Sequence, residues 1–241
     1  MTTFKTRGLV LREYEAGESD KRISLLCKGH GRLMVYARGA RKAKSKFLAA
    51  SQMFTYGDYI LGDGRQFLSL NQADVIESFY PIRQDYTSLC QAQYILEICE
   101  KTIPDRTPCD DLLQLLLKTL QHISGQNTTP GKQAVCVFLF RFFLFYGLAP
   151  EMNICCLCGE ELSSSAAIFC DEGMICHRCQ NNKARMPLSL AAQEAIQHIL
   201  RENLKQAFMF RALDSVLNEL ILAARLCWQG HFSITLQTDI E

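Results

Sequence analysis

Arg22-Ile23-Ser24-Leu25-Leu26-Cys27-Lys28, Gly29-His30-Gly31 and Arg32-Leu33-Met34-Val35-Tyr36-Ala37-Arg38 read as two short alternating segments around a glycine turn. A period of two is the pattern of half-buried strands, and glycine supplies the positive φ that a tight hairpin demands. The pattern continues outward on both sides. Further strands are predicted at Phe4 to Tyr14, Met53 to Leu61 and Phe67 to Glu77, the last two joined across Gly62-Asp63-Gly64. Five short antiparallel strands in under 80 residues suit a Greek-key barrel of the OB type, because closing the sheet removes its exposed edges. An SH3-like barrel is the alternative at this level.

Beyond Pro81 the period becomes helical. Asp85 to Ile103 gathers Leu89, Ala92, Ile95, Leu96 and Cys99 on one face and stops before Pro104; Asp110 to Ile123 follows, with two aspartates at its start. Gly125 to Gly131 is a polar loop. Lys132 to Tyr146 is apolar almost all round, so it is expected at the centre of a helical bundle. It is too short for a membrane span and carries Arg141 in its middle. Leu188 to Glu202 and Met209 to Trp228 are two more amphipathic helices, with Pro187 and Gly230 as punctuation. The expected fold class is therefore α+β and multidomain. An OB-type barrel at 1–80 precedes a helical domain at 81–241.

That helical domain is interrupted by Cys155-Cys156-Leu157-Cys158-Gly159 and, seventeen residues later, Cys176-His177-Arg178-Cys179. Each C-x-x-C forms a knuckle offering two sulfurs, and two knuckles complete a tetrahedron. Cys155, Cys158, Cys176 and Cys179 are thus the candidate ligands of one structural Zn2+, in a ribbon inserted at about 151–183. Four thiolates leave no open position for water, so the metal would pin an insert with too little core to fold unaided. Cys156, Cys170 and His177 are spare donors, more simply read as bystanders. Cys90, Cys99, Cys136 and Cys227 fall inside helical apolar patterns as core residues. Twelve cysteines in a chain whose opening predicts no export leader point to reduced thiols and a cytoplasmic location.

Charge is unevenly distributed. Residues 1–80 carry a net +5 and residues 81–241 a net −4, with twelve of the cations before residue 50. Such asymmetry points to a polyanion partner for the first module. Arg7, Arg12, Lys21, Arg22, Lys28, Arg32 and Arg38 are spread over the first three strands and their turns. Arg38 leads into a connector that adds Arg41, Lys42, Lys44 and Lys46 without one anion. Backbone phosphates need cations along a groove, and unpaired bases also need aromatic platforms, for which Tyr14, Tyr36, Phe54, Tyr56 and Tyr59 are candidates, although core packing is the plainer role of any one of them.

Several enzyme classes find no support. No histidine has Glu two positions on, as a zinc deaminase requires, and His-Glu-x-x-His is absent. Gly125 to Gln133 imitates a P-loop, but has five residues between its glycines rather than four and Gln133 where a hydroxyl is required. No carboxylate cluster of the nuclease kind stands out. A zinc-ribbon regulator binding RNA or a transcription complex is the competing reading.

Gly8-Leu9-Val10-Leu11 with Tyr14, Glu18 and Ser19-Asp20, then Gly31-Arg32-Leu33, Ala37-Arg38-Gly39-Ala40-Arg41 and Leu70 to Phe79, resemble the N-terminal domain of the RecO family. The helices, C-x-x-C-G, Phe169, Gly173 and the second C-x-x-C are similar to that family's helical domain with its zinc ribbon. Met174 stands where a second glycine is expected. The resemblance implies a bacterial, nucleoid-associated recombination mediator without enzymatic activity. Such a protein binds single- and double-stranded DNA, anneals complementary strands, and works with single-strand-binding protein and RecR to load RecA.

Overall fold

The computed structural model describes residues 3–62, 67–125, 130–162, 168–179, 185–238 and 240, and the chain forms two compact units. The first comprises Met1–Ser124 with Leu236–Glu241, the second Gly125–Thr235. The turn expected at Gly62-Asp63-Gly64 and most of the loop after Gly125 lie outside the described residues.

In the first unit, β1 (Thr3–Ala16), β2 (Asp20–Cys27), β3 (Gly31–Ala37), β4 (Tyr56–Gly62) and β5 (Leu68–Glu77) close into a barrel in the order β1-β2-β3-β5-β4. Closure depends on a short parallel pairing of β3 with β5, at Val35↔Leu68 and Tyr36↔Ser69. This is the OB order, and it sets the SH3-like alternative aside. The long β1 serves two neighbours. It pairs with β4 from Thr3 to Leu9 and with β2 from Gly8 to Ala16, bending at an irregularity between Val10 and Arg12. Inward residues Val10, Ile23, Leu25, Leu33, Val35, Tyr59 and Leu61 fill the barrel.

The interval from Arg38 to Thr55 is not an open loop. Ala40, Phe47 and Ala50 join the barrel core, and Tyr59 donates its hydroxyl to the Ala50 carbonyl at 2.9 Å. Phe54 takes a left-handed φ of 69° and its amide donates to Val10, which delays β4 to Tyr56 where Met53 was expected to begin it. Phe54 and Tyr59 are 1% and 0% exposed, so both are removed from the candidate aromatic platforms.

A 3-10 turn at Tyr80–Gln84 leads into α1 (Tyr86–Thr102), and α2 (Asp110–Ile123) follows. α1 packs on β1 and α2 on β2. This explains why Leu9, Leu11 and Leu26, outside the barrel core, are nonetheless buried. Asp85 caps α1 by accepting from the Ser88 amide at 2.7 Å. The linker to α2 lies against the start of β3: a Cβ on Gly31 would sit 2.1 Å from the Thr107 carbonyl oxygen, at a φ of +69°. Only glycine fits there. The C-terminal segment is tied to α1 by Glu97, which accepts from the amides of Gln237 and Thr238 at 2.7 and 2.8 Å and pairs with Lys101. Burial opposes the charge on Glu97, but these donors outweigh it and hold the carboxyl at about 2. The tie is complete above the ordinary carboxylate range and is lost as pH falls toward that value.

The second unit is built on α3 (Gly131–Phe145), whose Phe138, Phe140, Phe142 and Phe143 are all fully buried. α3 packs against α4 (Leu190–Arg201) and α6 (Asp214–His231), and Phe142 meets Trp228 and Phe232 in a ring cluster. Residues expected in one helix from Met209 instead form no helix until Asp214, after a one-turn α5 (Leu204–Ala207). Gln133 explains part of this, since its amide donates to the carbonyls of Phe208 and Phe210 and holds them out of a helix. Gly230, read as a stop, lies inside the last turn of α6. Among the described residues no helix is long and apolar enough to cross a membrane.

Candidate metal centre and nucleic-acid interface

Between α3 and α4 the chain forms a ribbon of β6 (Ile168–Cys170), β7 (Gly173–Ile175) and β8 (Arg185–Met186). Glu151 bridges to Gly173, exchanging backbone bonds with Glu172 and Met174. A Cβ on Gly173 would come 2.2 Å from the Glu151 oxygen, so this glycine is required by the approach of two backbones. Met174, conspicuous in the sequence for not being glycine, is a buried strand residue paired with Phe169; the turn falls at Asp171 and Glu172 instead.

Both knuckles close onto this hairpin. The Cys155 amide donates to Glu160 and the Gly159 amide to Cys155, while the Cys179 amide donates to Cys176. The Cys176 amide points at the Cys155 sulfur, 3.4 Å away. The Sγ atoms of Cys155, Cys158, Cys176 and Cys179 all lie within 4.8 Å of one another, and Cys158 and Cys176 are 3.8 Å apart. Metal–sulfur bonds of about 2.3 Å in a tetrahedron place sulfurs about 3.8 Å apart, so the cluster has the dimensions to hold an ion. Its electrostatics agree. Burial opposes ionisation of Cys155, yet the amides of Cys176, Cys158 and Leu157 outweigh it and bring the thiol to about 6. Contact with Cys176 and Cys158 pushes Cys179 up to about 12. Four thiols this close cannot all ionise unless a cation joins them. His177 is exposed and outside the four-residue group.

The cations predicted to meet nucleic acid fall into two sets. Arg32 is a rivet within the unit. Its guanidinium contacts Asp105 at 2.8 Å, Glu100 at 3.4 Å and the Ile103 carbonyl at 3.0 Å, which fixes the linker before α2. Arg7 pairs with Asp58 at 3.1 Å, Lys21 with Glu13, and Arg41 with Glu15 at 3.1 Å; Arg12 lies 3.9 Å from Glu100. Lys46 donates to the Asn71 carbonyl and lies over Phe47. In contrast Lys28, Arg38, Lys42 and Lys44 are exposed, with no ion pair among the described residues. Arg22 also has no such pair and packs between Tyr14 and Phe67. Register places Tyr14, Arg22 and Tyr36 in one row across β1, β2 and β3, all half-buried.

One residue to which the sequence reading gave no role organises the connector. Asp20 accepts from the Tyr36 hydroxyl at 2.5 Å, from the Gly39 amide at 2.6 Å and from Ser19; the Arg41 amide donates to the Ser19 carbonyl. The Tyr36 bond first, then the Gly39 amide, lower the Asp20 carboxyl below its ordinary value. Asp20 thereby clasps the root of the connector at the barrel rim. The only signal was Ser-Asp where the turn passes into β2, since short polar side chains there bond nearby backbone.

These features place the chain in a class of proteins with a five-stranded OB-type barrel bearing an exposed basic connector and a second, helical unit bearing a four-cysteine ribbon. Residues 1–79 match the family described as "Recombination protein O N terminal", and residues 83–238 the family described as "Recombination protein O C terminal". A "DNA repair protein RecO" of Acetivibrio thermocellus is 34% identical over 222 residues, covering 91% of this chain and 88% of that protein. One from Bacillus pumilus is 31% identical over 194 residues (80% and 75%), and one from Exiguobacterium sibiricum 37% over 174 residues (72% and 69%). The chain belongs to the RecO family of DNA repair proteins, recombination mediators that are not enzymes.

Proposed function

We propose that this protein binds single- and double-stranded DNA through its barrel, anneals complementary strands, and helps load RecA onto strands coated by single-strand-binding protein, in concert with RecR. The functional division in this reading runs at about residue 80, between a DNA-binding barrel and a helical domain at 81–241 whose ribbon, at about 151–183, carries one structural Zn2+. The protein acts in the bacterial cytoplasm, at the nucleoid.

The observation that carries this reading is the connector. Ala40, Phe47 and Ala50 anchor it in the barrel while Arg38, Lys42 and Lys44 remain exposed and unpaired among the described residues. Like charges within a seven-residue stretch of an anchored connector repel one another unless a polyanion neutralises them. Lys28 and Arg22, with the paired Arg7, Arg12, Lys21, Arg41 and Lys46 exchanging internal partners for phosphates, extend the surface. Arg32 supports it from within. Zn2+ suits four clustered thiolates with no open position, and supplies cohesion to the ribbon rather than chemistry.

The alternative, a ribbon protein of RNA or transcription complexes, uses the same cations and is separated from this reading by competition. With a labelled DNA strand bound, unlabelled DNA of the same sequence is expected to displace the probe at lower concentration than structured RNA. RNA displacing it more effectively would favour the alternative.

A further inference from the structure

Two thiols beside the metal cluster are not part of it. Cys156 and Cys170 bring their sulfurs to 3.6 Å of each other, outside the four-residue group. The contact is set by backbone. The Cys156 amide donates to Met174 on β7, and β7 holds β6 in the register Cys170↔Gly173. Cys155 and Cys156, adjacent in sequence, thus turn to different tasks, one sulfur toward the cluster and the next toward β6. Cys156 is half-buried and within reach of a small solute, whereas Cys170 is 0% exposed.

We propose that Cys156 and Cys170 are an oxidisable dithiol, a modification site separate from the metal ligands that closes to a disulfide when a peroxide reaches Cys156. The Cys156 sulfur attacks one peroxide oxygen and the O–O bond breaks. The departing hydroxide takes the thiol proton and leaves as water, giving a sulfenic acid. The Cys170 sulfur then attacks the sulfenic sulfur. The S–O bond breaks, and hydroxide leaves with the Cys170 proton as a second water. Two thiols are oxidised by two electrons and one hydrogen peroxide is reduced to two waters. The sulfurs must close from 3.6 Å to about 2.05 Å, within the reach of side-chain rotation because the fold already places them in contact. The product ties the first knuckle to β6 by a bond that does not need metal, so the oxidised ribbon should keep its order when the ion is removed.

The test treats the full-length protein with about one equivalent of hydrogen peroxide, alkylates the remaining thiols, and maps links by mass spectrometry of a protease digest. Metal is measured on the same samples. The expected result is loss of two of the twelve thiols, a Cys156–Cys170 link, and unchanged metal content. Chelation should then leave the ribbon of oxidised protein more resistant to proteolysis than that of reduced protein. C156A, at a half-buried position, should keep the fold and abolish the link. Links among Cys155, Cys158, Cys176 and Cys179, or metal release in step with thiol loss and no Cys156–Cys170 link, would overturn the proposal. A Cys156–Cys170 link formed in protein that holds no metal would count against the zinc reading alone.

Discussion

Replacing Cys176 with serine is expected to reduce bound zinc from about one ion per chain to a small fraction of that, and to unfold the ribbon while the barrel stays intact. The ribbon has little secondary structure of its own to hold it. Its strands are three, three and two residues long, and its own cluster is Cys155, Cys170, Ile175 and Cys176. Beside that cluster, among the described residues, only the side chains of Phe169 and Met174 on its strands are also buried, and β6 packs on α6. Free-standing zinc modules draw roughly 10 kcal/mol or more of folding free energy from the metal, so losing one of four thiolates removes most of what orders such an insert. The barrel has a separate core, in which, among the described residues, none from the ribbon takes part. Hydrogen exchange should therefore show protection lost around residues 151–179 and kept in β1 to β5. Wild-type protein lacking zinc by elemental analysis, or a variant whose ribbon stays protected, would remove the structural role assigned to the ion.

Changing Arg38, Lys42 and Lys44 together to alanine is expected to weaken binding to single-stranded DNA at low salt and to flatten its salt dependence. Each phosphate contact on a single strand contributes a slope of about 0.7 in log affinity against log salt, so losing three should reduce the slope by about 2. These residues are chosen because none has an ion-pair partner among the described residues, whereas Arg41 is held by Glu15 and the Gly17 carbonyl. Folding should survive, since the anchors Ala40, Phe47 and Ala50 are untouched. A slope equal to that of the wild type would mean that these cations are only a solvated rim.

The reach of the sequence followed the range of the forces involved. The hairpin around Gly29 and Gly31 and the two cysteine knuckles were legible because each is specified locally, by turn chemistry or by ligand spacing. The central place of α3 was legible because a helix apolar all round has only one environment to occupy. What escaped depends on residues distant in sequence. Arg32 has the composition of a phosphate ligand, and only the approach of Glu100 and Asp105 reveals it as a rivet. The connector was legible only as a run of cations, because Ala40, Phe47 and Ala50 do not alternate, and their burial is visible only once the barrel core they join exists. Phe54 and Tyr59 were offered as stacking platforms because an aromatic in a strand reads alike on either face until register is known.

In the proposed function the barrel surface promotes strand pairing by neutralising two backbones at once, without chemical energy. Base pairing is downhill, so the protein need only lower the repulsion between strands, which exposed cations can do by neutralising phosphates without reading bases. The direct measurement is the annealing rate of two complementary strands, each coated with single-strand-binding protein, in the absence of any nucleotide. Acceleration over the coated strands alone is expected, for many sequences, falling as salt rises and largely lost in the Arg38, Lys42 and Lys44 alanine variant. No acceleration without a nucleoside triphosphate, or a variant that anneals as fast as wild type, would contradict it.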